Sequence, residues 1–192
     1  MFGGTFDPPH VGHLVAAVNA LHGAGLDRVL LVVANEPWQK VGERDISPAP
    51  DRLAMVEAAV AGVKGLEASD IEILRGGRSY TVDTLRTLHA EAPDRQLSLI
   101  LGSDAVDGLP TWEGVDDLPS LAQIVVVERP GTLGARPPEG FDHQVVEVPL
   151  LDISSTEVRA RVADGRPLDY LLTPDVIDCV HDRHLYGSGV VA

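Results

Sequence analysis

Short aliphatic and β-branched runs alternate with stretches of helical spacing, and this alternation constrains the fold of the chain more than anything else in it. Arg28 to Ala34 (RVLLVVA) and Ala122 to Val127 (AQIVVV) have no polar side to turn to water. Such runs make strands only where both faces are covered. Leu97 to Leu101 reads as a strand, Val145 to Val148 as a shorter one, and a further strand is expected near Glu67 to Leu74, before the turn Arg75-Gly76-Gly77. Between these, Val11, Leu14, Val15, Val18 and Leu21 repeat at helical spacing until Gly23 and Gly25 end the run. Pro50 opens a second helix with Leu53, Val56 and Val60 on one side, and Thr81 to Ala90 forms another. Asn35 to Ala49 reads as a long loop, and two helices close the chain from about Ser155 and about Pro174. The expectation is an α/β fold with a Rossmann-like, doubly wound, mostly parallel sheet. Ligands of such folds sit at the carboxyl ends of the strands. No internal repeat is evident.

The run Gly3-Gly4-Thr5-Phe6-Asp7-Pro8-Pro9-His10-Val11-Gly12-His13 carries the densest chemistry. Glycines let the backbone turn sharply and approach a ligand, and prolines end strand pairing. A turn feeding a helix N-terminus binds anions, because free N–H groups and the helix dipole point outward there. His10 and His13, at i and i+3, share one helix face and add donors. Exposed histidines, or a metal pair with Asp7, are the bland alternatives. The strand presenting this run is a difficulty, since only Met1 and Phe2 precede the glycines. Either the sheet tolerates a stub or the first strand is truncated and the natural chain starts earlier; the second is the preferred expectation.

The chain of 192 residues suits one domain. Its net charge of −14 argues against broad nucleic-acid binding, so an anionic ligand must meet a local cluster of donors. The lone cysteine, Cys179, excludes an internal disulfide and is expected to be a buried structural thiol. There is no secretory signal and no membrane-length apolar run, so a cytoplasmic protein without a membrane partner is expected.

A second motif lies far downstream. Ser154-x-x-Glu157 is a capping box, and hydroxyls at a helix start with Arg159 one turn on also suit a phosphate. Gly3-Gly4-Thr5-Phe6-Asp7-Pro8 with His10-x-Gly12-His13 resembles the first signature of the T/H-x-G-H nucleotidyltransferases, and Ile153-Ser154-Ser155-Thr156-Glu157-Val158-Arg159 resembles their I-S-S-T-x-x-R signature. Ser79 to Leu85, Gly102-Ser103-Asp104 and Pro110-Thr111-Trp112 are similar to segments of bacterial nicotinate mononucleotide adenylyltransferases, as are Glu36 to Lys40 and Glu128 to Gly131.

The resemblance implies a single nucleotidyltransferase domain over residues 1–192, with its C-terminal helices from about residue 154. It implies ATP and nicotinate mononucleotide as partners, with Mg²⁺ travelling on ATP and no metal ligand from protein side chains. His10, His13, Lys40 and Arg159 would be the catalytic groups. Gly3, Gly4, Thr5, Phe6, Gly12 and Ile153 would line the ATP side, Ser155 and Thr156 would join Arg159 on the β- and γ-phosphates, Asp104 would bind the ribose beside Gly102, and Arg129 would face the nucleotide. Trp112 would stack on the pyridine ring, Tyr80, Thr81 and Thr84 would edge the nicotinate carboxylate, and Lys40 would also reach the mononucleotide. Each has a plain alternative: a solvated Lys40, a turn Asp104, a core Trp112, helix caps at Thr81 and Thr84, a surface ion pair at Arg129. Other acceptors, nicotinamide mononucleotide or phosphopantetheine, stay open, as do a non-catalytic nucleotide-binding module and homo-oligomer formation.

Overall fold

A computed structural model describes residues 1–37, 46–128 and 134–187. Its described strands are β1 (Phe2–Gly4), β2 (Val29–Val33), β3 (Leu66–Ser69), β4 (Ser98–Gly102), β5 (Gln123–Glu128) and β6 (His143–Glu147). The ladders run β1-β2-β3 and β4-β5-β6, all parallel, with Gly3 opposite Val32 and Ile100 opposite Val125. Met1 joins the two ladders. Its amine donates to Ser98 O at 2.7 Å and its carbonyl accepts from Ile100 N at 2.9 Å. The strands therefore run in the order 3-2-1-4-5-6, with the reversal between β1 and β4. That is the switch point where a ligand crevice opens in doubly wound sheets.

The central strand β1 is three residues long, two of them glycine; all three pair with β2, and Met1 just before them bonds to β4.

Helices α1 (Val11–Gly23) and α2 (Ala49–Val60) cover one face, and α4 (Thr81–Glu91), α5 (Ser103–Gly108) and α6 (Leu118–Leu121) the other. The buried strands feed both layers by simple alternation. Val29, Leu31 and Val33 pack under α1 and α2 while Val32 packs under α4; in β5, Val125 and Val127 take the first side and Ile124 and Val126 the second. Each fully buried side chain of this kind contributes about 1.5–3 kcal/mol. A third cluster docks α7 (Ser155–Ala163) and α8 (Pro174–Asp182) on the outside of α2, through Met55, Val158, Val176 and Val180.

The structure corrects the expected strand near Glu67 to Leu74. The strand stops at Ser69, and Ile71–Arg75 is a short helix, α3. Asp70 leaves the extended region, and Gly76, at φ 72°, ends the helix with its N–H on Glu72 O and Ile73 O. Pro50 lies one residue inside α2, which begins at Ala49. Cys179 is free and half-buried rather than sealed in the core. No helix among the described residues is long and apolar enough to cross a membrane.

Candidate active site

The turn after β1 is built by steric exclusion. Phe6 takes the left-handed conformation, φ 50°, and folds its ring back beneath the strand end. A Cβ at Gly4 would sit 2.8 Å from that ring, so only glycine fits there. Thr5, Phe6, Asp7 and His10 are all buried, and the turn delivers the chain to His10, the N-cap of α1, in an extended conformation.

The two histidines then organise each other. Their rings stack with centroids 3.8 Å apart, and the His10 backbone N–H donates to His13 Nδ1 at 3.1 Å. A neutral imidazole that accepts at Nδ1 carries its proton on Nε2. The backbone thus selects the His13 tautomer whose Nε2 is a donor. The Phe6 ring meets His13 edge-on at 5.1 Å and limits its rotation. Gly12 makes room for the pair, because a Cβ there would lie 3.0 Å from His10 Nδ1.

The second signature closes on the first from across 147 residues of chain or more. Ser154 caps α7 by accepting from Glu157 N at 3.2 Å. Ser155 Oγ donates to Pro8 O at 2.9 Å, and Arg159 donates to Asp7 O at 2.8 Å and to Thr156 Oγ1 at 3.0 Å. Since its hydroxyl proton is given to Pro8, what Ser155 offers a ligand is its N–H at the helix start. The N-termini of α1 and α7 therefore flank one cleft of about 770 Å³.

That cleft brings together Gly4, Thr5, Phe6, His10, Gly12, His13, Gly102, Asp104, Ile153, Ser155, Thr156 and Arg159. Asp104, in the first turn of α5, is exposed on the far wall. Val127, Val148 and Leu151 give it an apolar side that the sequence did not announce. A second cavity of about 270 Å³ adjoins it, sharing Phe2, Gly4, Thr5 and Gly102. Gly3 lies on this second side, with Tyr80, Thr81 and half-buried Trp112.

Thr84 lines neither cavity. It is fully buried, its hydroxyl donating to Glu72 Oε1 at 2.6 Å and accepting from Arg75 at 2.9 Å. Glu72 itself reaches the smaller cavity, so Thr84 supports the wall rather than forming it. Lys40 and Arg129 lie outside the described residues. Sequence reasoning also missed Arg52, a fully buried guanidinium behind the Thr5 turn.

The model of the cytidylyltransferase-like family matches residues 1–161, both signatures included. The chain belongs to the cytidylyltransferase-like family. Within it, the chain is 46% identical over 187 residues to a protein of Streptomyces coelicolor named probable nicotinate-nucleotide adenylyltransferase, covering 96% of this chain and 98% of that one. A protein of the same name from Halalkalibacterium halodurans is 42% identical over 189 residues, covering 98% of this chain and 90% of its own length. Among solved structures, the nicotinic acid mononucleotide adenylyltransferase of Plasmodium falciparum complexed with NaAD superposes with a TM-score of 0.76 at 19% identity, over 98% of this chain and 96% of that one. The family's Rossmann-like architecture is thus shared at the level of the fold.

Proposed function

We propose that this protein transfers the AMP moiety of ATP to nicotinate mononucleotide, giving deamido-NAD and releasing pyrophosphate, as a nucleotidyltransferase of NAD biosynthesis. One observation carries it most: two signature segments clasp each other across a cleft flanked by two helix N-termini, with a second cavity alongside. The names of full-length relatives at more than 40% identity support the same acceptor.

In this reading ATP occupies the larger cleft and the pyridine mononucleotide the smaller. The mononucleotide phosphate, already anionic at neutral pH, attacks the α-phosphorus in line, so neither a general base nor a covalent enzyme intermediate is needed. Catalysis is then positioning and charge stabilisation. His13 Nε2–H and His10 meet the charge that develops on the α-phosphate. Arg159 and the N–H groups that open α7 hold the β- and γ-phosphates, with Lys40 assisting from outside the described residues. Asp104 faces the ribose, and Trp112 the pyridine ring. Mg²⁺, bound mainly through phosphates and waters, would neutralise the triphosphate. A cytoplasmic location goes with this reading, because both substrates are intracellular phosphates.

Pyrophosphate release from ATP, measured with nicotinate mononucleotide, nicotinamide mononucleotide and phosphopantetheine in turn, tests the proposal. The first acceptor should be preferred. Release only with another acceptor would replace the substrate, and no release with any would leave a nucleotide-binding module.

A further inference from the structure

The Thr5–Asp7 turn is held from behind by two side chains that line neither cavity. Arg52, on α2, is 1% exposed. Its guanidinium donates from Nη1 to Thr5 O at 2.9 Å, from Nη2 to Asn35 O at 3.0 Å and from Nε to Ser47 O at 2.8 Å. One planar group thus gathers carbonyls from the signature turn, from the end of β2 and from the approach to α2. A lysine ammonium, a point charge on a flexible stem, cannot hold three acceptors in that plane.

Tyr186 approaches Asp7 from the C-terminal turn. Its hydroxyl donates to Asp7 Oδ1 at 2.6 Å, while Ser47 N reaches Oδ2 at 3.5 Å and Arg159 reaches the Asp7 carbonyl. Asp7 is 1% exposed, so this carboxylate is satisfied from within. Burial, reinforced by the Asp7 hydrogen bond and charge, pushes the Tyr186 phenol well above its ordinary range, which keeps it a donor. The backbone on both sides of the contact is unusual. Phe6, His184 and Tyr186 all have φ between 50° and 59°, the left-handed region that residues with a Cβ avoid. Such conformations persist where surrounding contacts over-determine them, and they cluster at functional sites.

We propose that Arg52 and Tyr186 are positioning residues, which fix the Thr5–Asp7 turn, and through Asp7 the Arg159 guanidinium, in the geometry that adenylyl transfer requires. This rests on the transfer reaction proposed above. Neither residue touches substrate. Displacing the turn moves His10 and His13, which it delivers, and Arg159, which it anchors, relative to each other.

Tyr186→Phe is the decisive variant, because it keeps the ring and removes only the hydroxyl. Arg52→Lys is its companion and carries the greater risk of not folding, in which case Tyr186→Phe decides alone. With nicotinate mononucleotide as acceptor, kcat of Tyr186→Phe should fall about tenfold, as expected for a small misplacement of reacting groups. Calorimetric affinity for ATP should change no more than about twofold, and the assay should run well below the unfolding midpoint. The double variant Asp7→Ala/Tyr186→Phe should be no slower than Asp7→Ala alone, since that variant already removes the acceptor of the Tyr186 hydroxyl. A Tyr186→Phe enzyme with the parent kcat, or with losses that merely track its unfolded fraction, overturns the positioning role. A parent protein silent with every acceptor refutes the transfer reading instead, which separates the two failures.

Discussion

Replacing His13 tests whether the backbone-selected tautomer matters to the chemistry. His13→Ala removes the Nε2–H donor and also the acceptor for the His10 N–H, together with a stacked ring. Losing a donor aimed at transition-state charge costs about 3–4 kcal/mol, or roughly 10²–10³ in kcat. The structural part is smaller. One backbone hydrogen bond contributes about 1 kcal/mol, which moves the unfolding midpoint of a chain of this size by about 2–4 °C. His13→Asn separates the two, because its side-chain carbonyl can replace Nδ1 as the acceptor while nothing replaces Nε2. Asparagine should therefore restore the midpoint and not the rate. Steady-state pyrophosphate release, calorimetric ATP binding and thermal unfolding together supply the three readouts. If kcat of His13→Asn stays within about threefold of the parent, or if the whole loss appears in KM for ATP, the histidine binds uniformly and the tautomer argument is wrong.

Gly12→Ala should slow turnover about tenfold by pushing the His10 ring out of its stack, while thermal unfolding shows no loss, since alanine is the better helix former by about 1 kcal/mol. Thr84→Val should lower stability by about 1.5–3 kcal/mol in urea unfolding, through the lost bond to a buried carboxylate; a selective rise in acceptor KM at unchanged stability would instead make Thr84 a ligand. In a chain that starts at Met1, the Met1 amine, desolvated by burial, has its pKa lowered from 8.0 to about 5. The unfolded chain then binds the extra proton between pH 8 and 5, so stability falls as pH drops through that window and the loss levels off below pH 5, at about 4 kcal/mol for three units. A variant extended before Met1 replaces the amine with a peptide N–H and should lose this slope; equal slopes in the two chains would refute it.

How legible the molecule was depended on where each residue's partner lies. Strands β2 and β5 were plain because Val29 to Val33 and Ile124 to Val127 leave no polar face, so only a doubly covered sheet accepts them. Ile71 to Leu74 misled, because a short apolar run fits helix and strand alike and the deciding Gly76 turn acts after it. The stretch from Ser103 to Leu121 carries no period: Val106, Leu109 and Leu118 are drawn into the core by tertiary packing of short turns. The signatures were legible because their chemistry resides in side-chain type and spacing. Arg52 was not, for an arginine on a helix ordinarily faces water, and its three acceptors belong to loops placed only by the fold. Tyr186 was still less visible, with its partner Asp7 179 positions away.

A chain of net charge −14 that works on anionic substrates needs attraction to be local. At physiological ionic strength exposed charges are screened beyond about 8 Å, so the acidic surface reaches little of the cleft. Inside, the favourable field comes from groups that cannot be neutralised by titration: the N-termini of α1 and α7, each equivalent to about half a positive charge, and the Arg159 guanidinium between them. These sources point at one place only because Ser155 and Arg159 are bonded to Pro8 and Asp7. Separated, either helix would be a weak anion site; clasped, they would address successive phosphates of one chain in the proposed reaction. The two signatures are thus a single electrostatic device divided in sequence, and the hydrogen bonds across it determine whether its halves act on the same ligand.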